Sequence, residues 1–377
     1  MVTALELDEV VRAARARTGV PGVAAGVLHG GSIELVADGV LVLGREEPVR
    51  PDTPFRVASI SKPFTSALCV ECLDVDDRLR SLLSHTAGLR RESLQPLPEE
   101  TQGLFSYSNA GYWPAAEAAA VACGTSFEEA MRTRILAPLR LDATGYDEPA
   151  RAARGHAPEG ESGHRPLLQD AYPASRRASG GLWSTVGDLL AFAAHQIGAP
   201  SAAHEPQVEA LGARYALGWW VRELDNGRTA LDHEGSVAGY QSLLLIVPAD
   251  GLAVAVLTNS WRGSGLIRRV VDELGIVPSG AAIERTTGGV AGTYVLDDAT
   301  AVVEAGADGL EVTERDRDPV TGHETVVRYP VRAIGCGVFA FARGSLMSHR
   351  LDFPRPGVAR IGWTALTRAD EAARPAG

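Results

Sequence analysis

The periodicity of the chain changes near Pro278-Ser279-Gly280, and this change divides the sequence into two regions. Before this point, a helical pattern at 5–17 begins the region and another at 266–274 ends it, and several runs typical of β-strands lie between them. Among these, 242–247 and 252–257 predict a hairpin, because a Pro-Ala-Asp-Gly turn separates them. After it, short β-type runs recur between polar or glycine-containing turns, with no convincing helix. A mixed first region and an all-β second region are therefore expected.

Residues 1–280 are predicted to form an α/β (α+β) domain with an antiparallel sheet and a helix-rich middle. Residues 286–369 are predicted to form a separate small β-sandwich or barrel, and 370–377 a frayed tail. The 377 residues, 45% of them hydrophobic, are enough for one large and one small domain.

The charge balance argues against two classes of partner. Lys plus Arg number 36 against 47 Asp plus Glu, a net charge of −11, which repels phosphate backbones and anionic lipid. No run of 18 uncharged apolar residues predicts a membrane span. The segment from Met1 to Val10 lacks the basic and apolar parts of a secretory signal. If the natural chain starts here, we expect a cytoplasmic protein that binds neither nucleic acid nor membrane.

The cysteines and histidines do not predict a metal or a cofactor. Cys69-Val70-Glu71-Cys72 is formally a CxxC, but no second pair accompanies it and it lies in an apolar, helical stretch. Buried thiols are favoured there over a metal or redox site. The nine histidines include no HExxH and no cluster with zinc-ligand spacing.

A serine and a lysine three residues apart form the first candidate site, at the predicted helix start Ser59-Ile60-Ser61-Lys62. At this spacing both side chains project from the same face. The N–H groups and the dipole at a helix start favour negative charge, as on an acyl-transfer oxyanion. A lysine in a dry, cation-stabilised site can lose its proton and help activate the serine hydroxyl. The alternative is a capping serine beside a solvated lysine.

Two further motifs have the residue types that such chemistry needs. Tyr107-Ser108-Asn109 precedes a predicted helix; a tyrosine beside an ammonium can accept a proton, and Asn109 can donate its amide to a substrate carbonyl. The alternative is a half-buried aromatic before an N-cap asparagine. His233-Glu234-Gly235 ends a β-type run, where glycine permits close approach and the N–H of Ser236 can face the oxyanion. The alternative is an ordinary strand-end histidine.

The order S-x-x-K, Y-x-N and H-x-G favours catalysis over these alternatives. The set resembles the serine β-lactamase and penicillin-binding-protein superfamily, in its class C-like branch of DD-peptidases, esterases and D-aminopeptidases. Residues 82–89, 179–185 and 257–259 are also similar to that branch, and the resemblance covers about 5–275. It implies a β-lactamase/penicillin-binding-protein-like fold. No G-x-S-x-G occurs, which argues against an α/β-hydrolase.

The resemblance implies a role for each motif residue. Ser59 would be the acylated nucleophile, Lys62 and Tyr107 would share the proton relay, and Asn109 would orient the substrate amide. His233 would stand at the strand position where many lactamases have a lysine, and the backbone N–H groups of Ser59 and Ser236 would form the oxyanion hole. Which of Lys62 and Tyr107 is the base stays open.

With its added β region, the whole architecture looks similar to the penicillin-binding-protein-type thioesterases of nonribosomal peptide pathways. That resemblance implies a lipocalin-like C-terminal domain and an offloading cyclase, which takes a peptidyl thioester from a carrier protein and closes it head to tail. The alternatives are a cytoplasmic D-amino-acid-specific peptidase or esterase, a DD-carboxypeptidase-like hydrolase, and a non-catalytic scaffold. Four C-terminal arginines are candidates for binding a substrate carboxylate, although most are expected to be solvated: Arg343, Arg350, Arg360 and Arg368.

The spacing between the first two motifs departs from the family, because Ser59 to Tyr107 is shorter than this branch usually shows. The join lies near Asp76-Asp77-Arg78, and a second compressed region lies around 199–207. Either loops at the rim of the site are absent, or the numbering omits residues. We favour omitted residues, which predicts broken backbone spacing at a join.

Overall fold

A computed structural model gives the fold. It describes residues 4–160, 163–168, 172–199, 201–237, 239–276, 290–296, 299–306, 309–317, 324–335, 338–341, 350–355, 357–361 and 364–369. The predicted tail at 370–377 and the turn at 278–280 lie outside them. The chain divides into two compact units. The first comprises Met1–Ser84, Asn109–Gln207 and Tyr215–Ser279, and the second comprises His85–Ser108, Val208–Arg214 and Gly280–Gly377.

The described residues form eight α-helices, and side-chain caps fix the starts of three of them. Asp76, Ser126 and Thr185 each accept a hydrogen bond from the backbone N–H three residues later, which satisfies a donor left free at a helix start. The helices are α1 (Ala4–Thr18), α2 (Ser61–Cys72), α3 (Asp77–Leu83), α4 (Tyr112–Cys123), α5 (Phe127–Met131), α6 (Arg177–Gly180), α7 (Val186–Gly198) and α8 (Gly263–Glu273).

Twelve strands precede residue 260: β1 (Gly22–His29), β2 (Ser32–Gly39), β3 (Phe55–Arg56), β4 (His156–Glu159), β5 (Gly163–Pro166), β6 (Trp183–Ser184), β7 (Val208–Ala210), β8 (Ala213–Tyr215), β9 (Trp220–Glu223), β10 (Thr229–Val237), β11 (Tyr240–Val247) and β12 (Leu252–Thr258). The main sheet of the first unit has the antiparallel order β2-β1-β12-β11-β10-β9. Its central strands are buried on successive residues, because α1, α7 and α8 pack against the sheet.

Helix α3 begins at the join that the sequence placed near Asp76. The N–H of Arg80 donates to the carbonyl of Asp76 at 2.9 Å, and Asp76 also caps α3. Ordinary helical hydrogen bonding therefore starts at Asp76, and the hypothesis of omitted residues stays a prediction.

The second unit contains a closed antiparallel barrel, which is one of the two all-β arrangements that the sequence predicted. Its strands are β13 (Gly292–Leu296), β14 (Ala299–Gly306), β15 (Gly309–Arg317), β16 (Glu324–Gly335), β17 (Val338–Phe341), β18 (Arg350–Arg355), β19 (Val358–Ile361) and β20 (Thr364–Arg368). Each strand pairs with the next, and β13 also pairs with β20, which closes the ring. Tyr294, Val312 and Leu351 belong to its buried core.

Two segments from earlier in the chain are bonded to this barrel. The N–H of Ala365 in β20 donates to Ser106 Oγ at 3.2 Å. The N–H of Leu211 donates to Asp352 Oδ2 at 3.1 Å, and the guanidinium of Arg360 donates to the carbonyl of Glu209 at 3.2 Å. The second unit is therefore assembled from three separate parts of the chain.

Candidate active site

Ser59 lies on a strained turn immediately before α2. Ala58 has a left-handed backbone with φ of +49°, which is uncommon for a residue with a side chain. The turn is anchored at Val57, whose N–H donates to the carbonyl of Leu182 at 3.0 Å. Ser59 itself is only partly buried. The turn therefore presents a serine hydroxyl at the start of a helix, as the motif predicted.

Lys62 is the only lysine in the 377 residues, and its side chain is fully buried in the first turn of α2. That the chain has a single lysine, and that it falls in S-x-x-K, is a sequence signal that could have singled out Lys62 more strongly. Its Nζ lies 2.7 Å from Asn109 Oδ1, 2.7 Å from the carbonyl oxygen of Ser179 and 3.3 Å from Ser59 Oγ. Burying an ammonium is costly unless it is hydrogen-bonded, so these contacts explain how the cation is tolerated. The structure therefore brings Ser59, Lys62 and Asn109 together.

The three contacts also suit proton transfer. In the two shorter contacts, Lys62 Nζ donates to the Asn109 amide oxygen and to the Ser179 carbonyl oxygen, and both oxygens can only accept. Two N–H groups of Lys62 are therefore engaged whether the amine is charged or neutral. The third direction points at Ser59 Oγ. A neutral Lys62 would thus keep two donors engaged and aim its lone pair at the Ser59 hydroxyl. This is the geometry of a general base beside a nucleophile.

The stretch at 178–182 clamps the start of α2, and its function was missed from the sequence. The carbonyl of Ala178 accepts from Thr65 Oγ at 2.7 Å, and the N–H of Leu182 donates to Ser61 Oγ at 3.1 Å. Together with the Ser179 carbonyl, these bonds fix the face of α2 that carries Lys62. The sequence shows this stretch only as similar to the family. It cannot show the role of the stretch, because the contacts are made by backbone atoms.

Gly235 allows strand β10 to approach the nucleophile turn closely. A Cβ at this position would lie 2.2 Å from the carbonyl oxygen of Val57 and 2.3 Å from Ser242 Oγ. Any side chain would push the strand away from the turn. The next residue, Ser236, is exposed, and its Oγ accepts from Gln241 Nε2 at 2.7 Å. The oxyanion role of the Ser59 and Ser236 N–H groups stays a prediction.

His233 is buried in the same unit and is held as a neutral imidazole. Its Nδ1 lies 2.6 Å from the Glu234 carbonyl, which can only accept, so Nδ1 carries the proton. Its Nε2 therefore accepts from Tyr215 Oη at 3.2 Å. Burial, followed by the charge of Lys62, lowers the pKa of His233 to about 3. Tyr215 is a second residue that the sequence did not single out, because its link to His233 crosses between strands.

Tyr107 belongs to the second unit, in the segment His85–Ser108. It is buried, and its ring centroid lies 4.2 Å from that of His85. His85 also holds the backbone here, because its carbonyl accepts from the N–H of Ser106 and its Nδ1 accepts from the N–H of Ser108, at 2.9 and 3.1 Å. The guanidinium of Arg91 lies 5.8 Å from the Tyr107 ring centroid. The catalytic role of Tyr107 with Lys62 stays a prediction.

Of the four C-terminal arginines considered as ligands for a substrate carboxylate, one is already paired inside the barrel. Arg360 is buried and donates from Nε to Asp352 Oδ1 at 2.7 Å, so its charge is already paired with a carboxylate. The expectation that it could hold a substrate carboxylate is wrong for that reason. Arg368 is exposed and donates to the carbonyl of Ala291 at 2.7 Å. Arg343 and the side chain of Arg350 lie outside the described residues.

No group of three or more potential metal ligands occurs among the described residues. In that same part of the chain, no helix has the length and apolar character needed to cross a bilayer.

Comparison with known sequences decides the family. The sequence profile of the β-lactamase family matches residues 7–76 and 75–273. The chain belongs to the β-lactamase family. The family profile matches in two segments that overlap at residues 75–76. This is the point where the sequence predicted a shortened connection. Penicillin-binding protein 4 of Amycolatopsis lactamdurans is 26% identical over 326 residues, covering 68% of this chain and 85% of that protein.

Solved structures show the same fold. SurE superimposes with a TM-score of 0.74 at 23% identity and covers 97% of this chain and 99% of its own. A class C β-lactamase from Rhodobacter sphaeroides gives 0.62 at 23% identity, covering 71% of this chain and 97% of its own. The octameric penicillin-binding protein homologue from Pyrococcus abyssi gives 0.63 at 18% identity, covering 96% and 99%. The fold resemblance to penicillin-binding-protein-type enzymes is confirmed.

Proposed function

We propose that this protein is an acyl-transferring enzyme that loads a peptidyl thioester onto Ser59 and closes the peptide head to tail. The observation that carries the proposal is the contact set of the single buried lysine, which aims Nζ at the Ser59 hydroxyl. The likeness to SurE over 97% of the chain supports the choice of a cyclase within the family. A carrier protein is the proposed donor of the thioester.

In the first step, the Ser59 hydroxyl attacks the thioester carbonyl as its proton passes to the relay of Lys62 and Tyr107. The bond that forms joins Ser59 Oγ to the acyl carbon, the bond that breaks joins that carbon to sulfur, and the relay passes the proton to the leaving thiol. In the second step, the peptide's own amino group attacks the acyl carbon, the bond from that carbon to Ser59 Oγ breaks, and the proton lost by the amine returns to Ser59. Tethering makes this attack intramolecular, and exclusion of water lets it compete with hydrolysis.

The experiment offers the purified full chain a synthetic peptidyl thioester with a D-configured C-terminal residue. A structure of SurE with D-Leu motivates that configuration. We expect a product whose mass is that of the peptide minus water, and no turnover by Ser59→Ala. Linear acid alone would instead support the hydrolase candidates, D-amino-acid-specific peptidase, esterase or DD-carboxypeptidase. The similarity to penicillin-binding protein 4 of Amycolatopsis lactamdurans supports this second candidate function.

A second measurement separates an unsuitable substrate from an inactive protein. A fluorophosphonate probe is expected to label wild-type protein and not Ser59→Ala. Ser32→Ala is the matched control, because Ser32 is an exposed serine of β2 and has no part in the candidate site. If neither wild type nor control were labelled, the acyl-enzyme proposal would fail and the non-catalytic scaffold would be supported.

A further inference from the structure

Two thiols at the opposite end of α2 from Lys62 lie close enough to bond. Cys72 is the last residue of α2 and Cys123 the last residue of α4, and their Sγ atoms are 2.9 Å apart. Both are free thiols and both are half-buried, so a small reagent can reach them. A disulfide has an S–S distance of about 2.0 Å, so bond formation needs a movement of only about 1 Å.

The neighbourhood favours a thiol pair over a metal site. A structural zinc site needs four ligands, whereas the described residues contain no group of three that could hold a metal. Cys69, one turn earlier in α2, is fully buried and donates to the carbonyl of Ala115 at 3.5 Å. Cys69 is the buried thiol that the sequence predicted, out of reach of a reagent, and burial raises its pKa to about 12, whereas Cys72 is only half-buried. The CxxC spacing is thus misleading, because Cys72 faces Cys123 and not a metal.

We propose that Cys72 and Cys123 form a reversible disulfide when the protein meets a small-molecule disulfide. One protein thiolate attacks a sulfur of the reagent, which forms a mixed disulfide and releases one thiol. The second protein thiolate then attacks the protein sulfur and releases the second thiol. Overall, the two cysteines lose two electrons and two protons, and the reagent takes up both to become two thiols.

The two steps are expected to differ in rate. Burial, the neighbouring Cys123 thiol and the charge of Glu71 raise the pKa of Cys72 to about 12, which keeps little thiolate at neutral pH. The charge of Arg134 opposes this effect. Attack by Cys72 on the reagent is therefore slow and accelerates as the pH rises. The second step joins sulfurs that are already adjacent, so the mixed disulfide does not accumulate.

The disulfide would brace the two helices that carry the candidate active site. Lys62 lies in the first turn of α2, and Asn109 lies just before α4; these two residues are bonded to each other. The cross-link would join the far ends of the same helices, which pack together. Closing a loop of about 50 residues restricts the unfolded chain, and we expect the melting temperature to rise by roughly 5–10 °C. This proposal does not depend on the reaction proposed for Ser59.

The test incubates the native full-length protein with oxidised glutathione at pH 7 and pH 9, blocks free thiols with N-ethylmaleimide and maps the peptides by mass spectrometry. We expect a cross-linked Cys72–Cys123 peptide, two hydrogens lighter than the pair, which forms faster at pH 9 and disappears on reduction. A stable glutathione adduct on either cysteine without the cross-link would overturn the proposal, as would two thiols that stay open to N-ethylmaleimide.

Variants show whether the effect of oxidant comes from Cys72 and Cys123 or from another cysteine. Cys72→Ser and Cys123→Ser should each abolish the oxidant-induced rise in melting temperature, whereas the matched control Cys69→Ala should keep it. A rise that survives in Cys72→Ser would contradict the proposal. The peptide map uses wild-type protein, so it remains decisive even if a variant folds poorly.

Discussion

Lys62 and Tyr107, the two proposed partners in proton relay, are held by different kinds of interaction. Lys62 is fixed by polar contacts inside the first unit, to Asn109 and to the Ser179 carbonyl. Tyr107 is fixed in the second unit by packing against the His85 ring, in a loop whose Ser106 accepts a hydrogen bond from the barrel. A buried cation needs oxygen ligands, whereas a phenol ring needs an apolar and aromatic enclosure. Lys62 and Tyr107 therefore depend on different parts of the chain for their positions.

The largest effect is expected from Lys62→Met. The substitution keeps the buried volume similar but removes the amine and leaves two buried oxygens without their donor. Fluorophosphonate labelling of Ser59 should slow by about 10²–10⁴-fold, the usual range for loss of a general acid or base. Thermal melts show whether the variant is folded. A folded variant labelled at the wild-type rate would remove Lys62 from the mechanism.

Tyr107→Phe tests whether the two motifs serve one reaction. Labelling should slow by about 10²-fold, because the phenol hydroxyl is lost and the ring that packs on His85 is kept. The single lysine provides a second readout, since selective ¹³C labelling of lysine gives one side-chain signal from the whole chain. We expect Tyr107→Phe to shift that signal.

The control for this experiment is Tyr294→Phe, which changes a phenol in the barrel core and should leave the lysine signal in place. Unchanged labelling and an unchanged lysine signal in Tyr107→Phe would show that the Y-x-N tyrosine has no part in the relay.

The pH dependence of stability tests whether His233, in the first unit, is held as a neutral imidazole. The pKa of His233 is lowered to about 3 from an ordinary value near 6.5, so the unfolded state binds its proton first as the pH falls. The stabilising contribution is complete above pH 6.5 and is lost between 6.5 and 3, at roughly 1 kcal/mol per pH unit. In urea titrations from pH 7 to 4, His233→Gln should flatten this loss. The remaining slope includes His204, whose pKa burial lowers to about 4.

Exposed His29→Gln is the matched control and should keep the wild-type slope. Equal slopes for His233→Gln and wild type would mean that His233 is not held neutral.

The smallest effect is expected from Ser106→Ala in the second unit. The variant leaves the buried N–H of Ala365 without its acceptor, which should lower the free energy of unfolding by about 1–3 kcal/mol. Because the same loop carries Tyr107, Ser59 labelling should also slow by a few-fold. Ser32→Ala, at an exposed position of β2, should change neither quantity. A stability loss without any change in labelling would separate the barrel from the placement of Tyr107.

The order of elements, the S-x-x-K turn and the all-β character of the C-terminal region could be predicted from the sequence, because they follow from local periodicity and turn chemistry. The sequence also predicted the family, since each motif is short and contiguous. The folded chain was needed to show that Ser179 binds Lys62 through its carbonyl, that Tyr215 bonds to His233 and that Arg360 is paired with Asp352. It likewise brought Cys72 to Cys123 and tied the Tyr107 loop to the barrel. These contacts join residues distant in the chain or use backbone atoms, and neither leaves a pattern in the order of side chains.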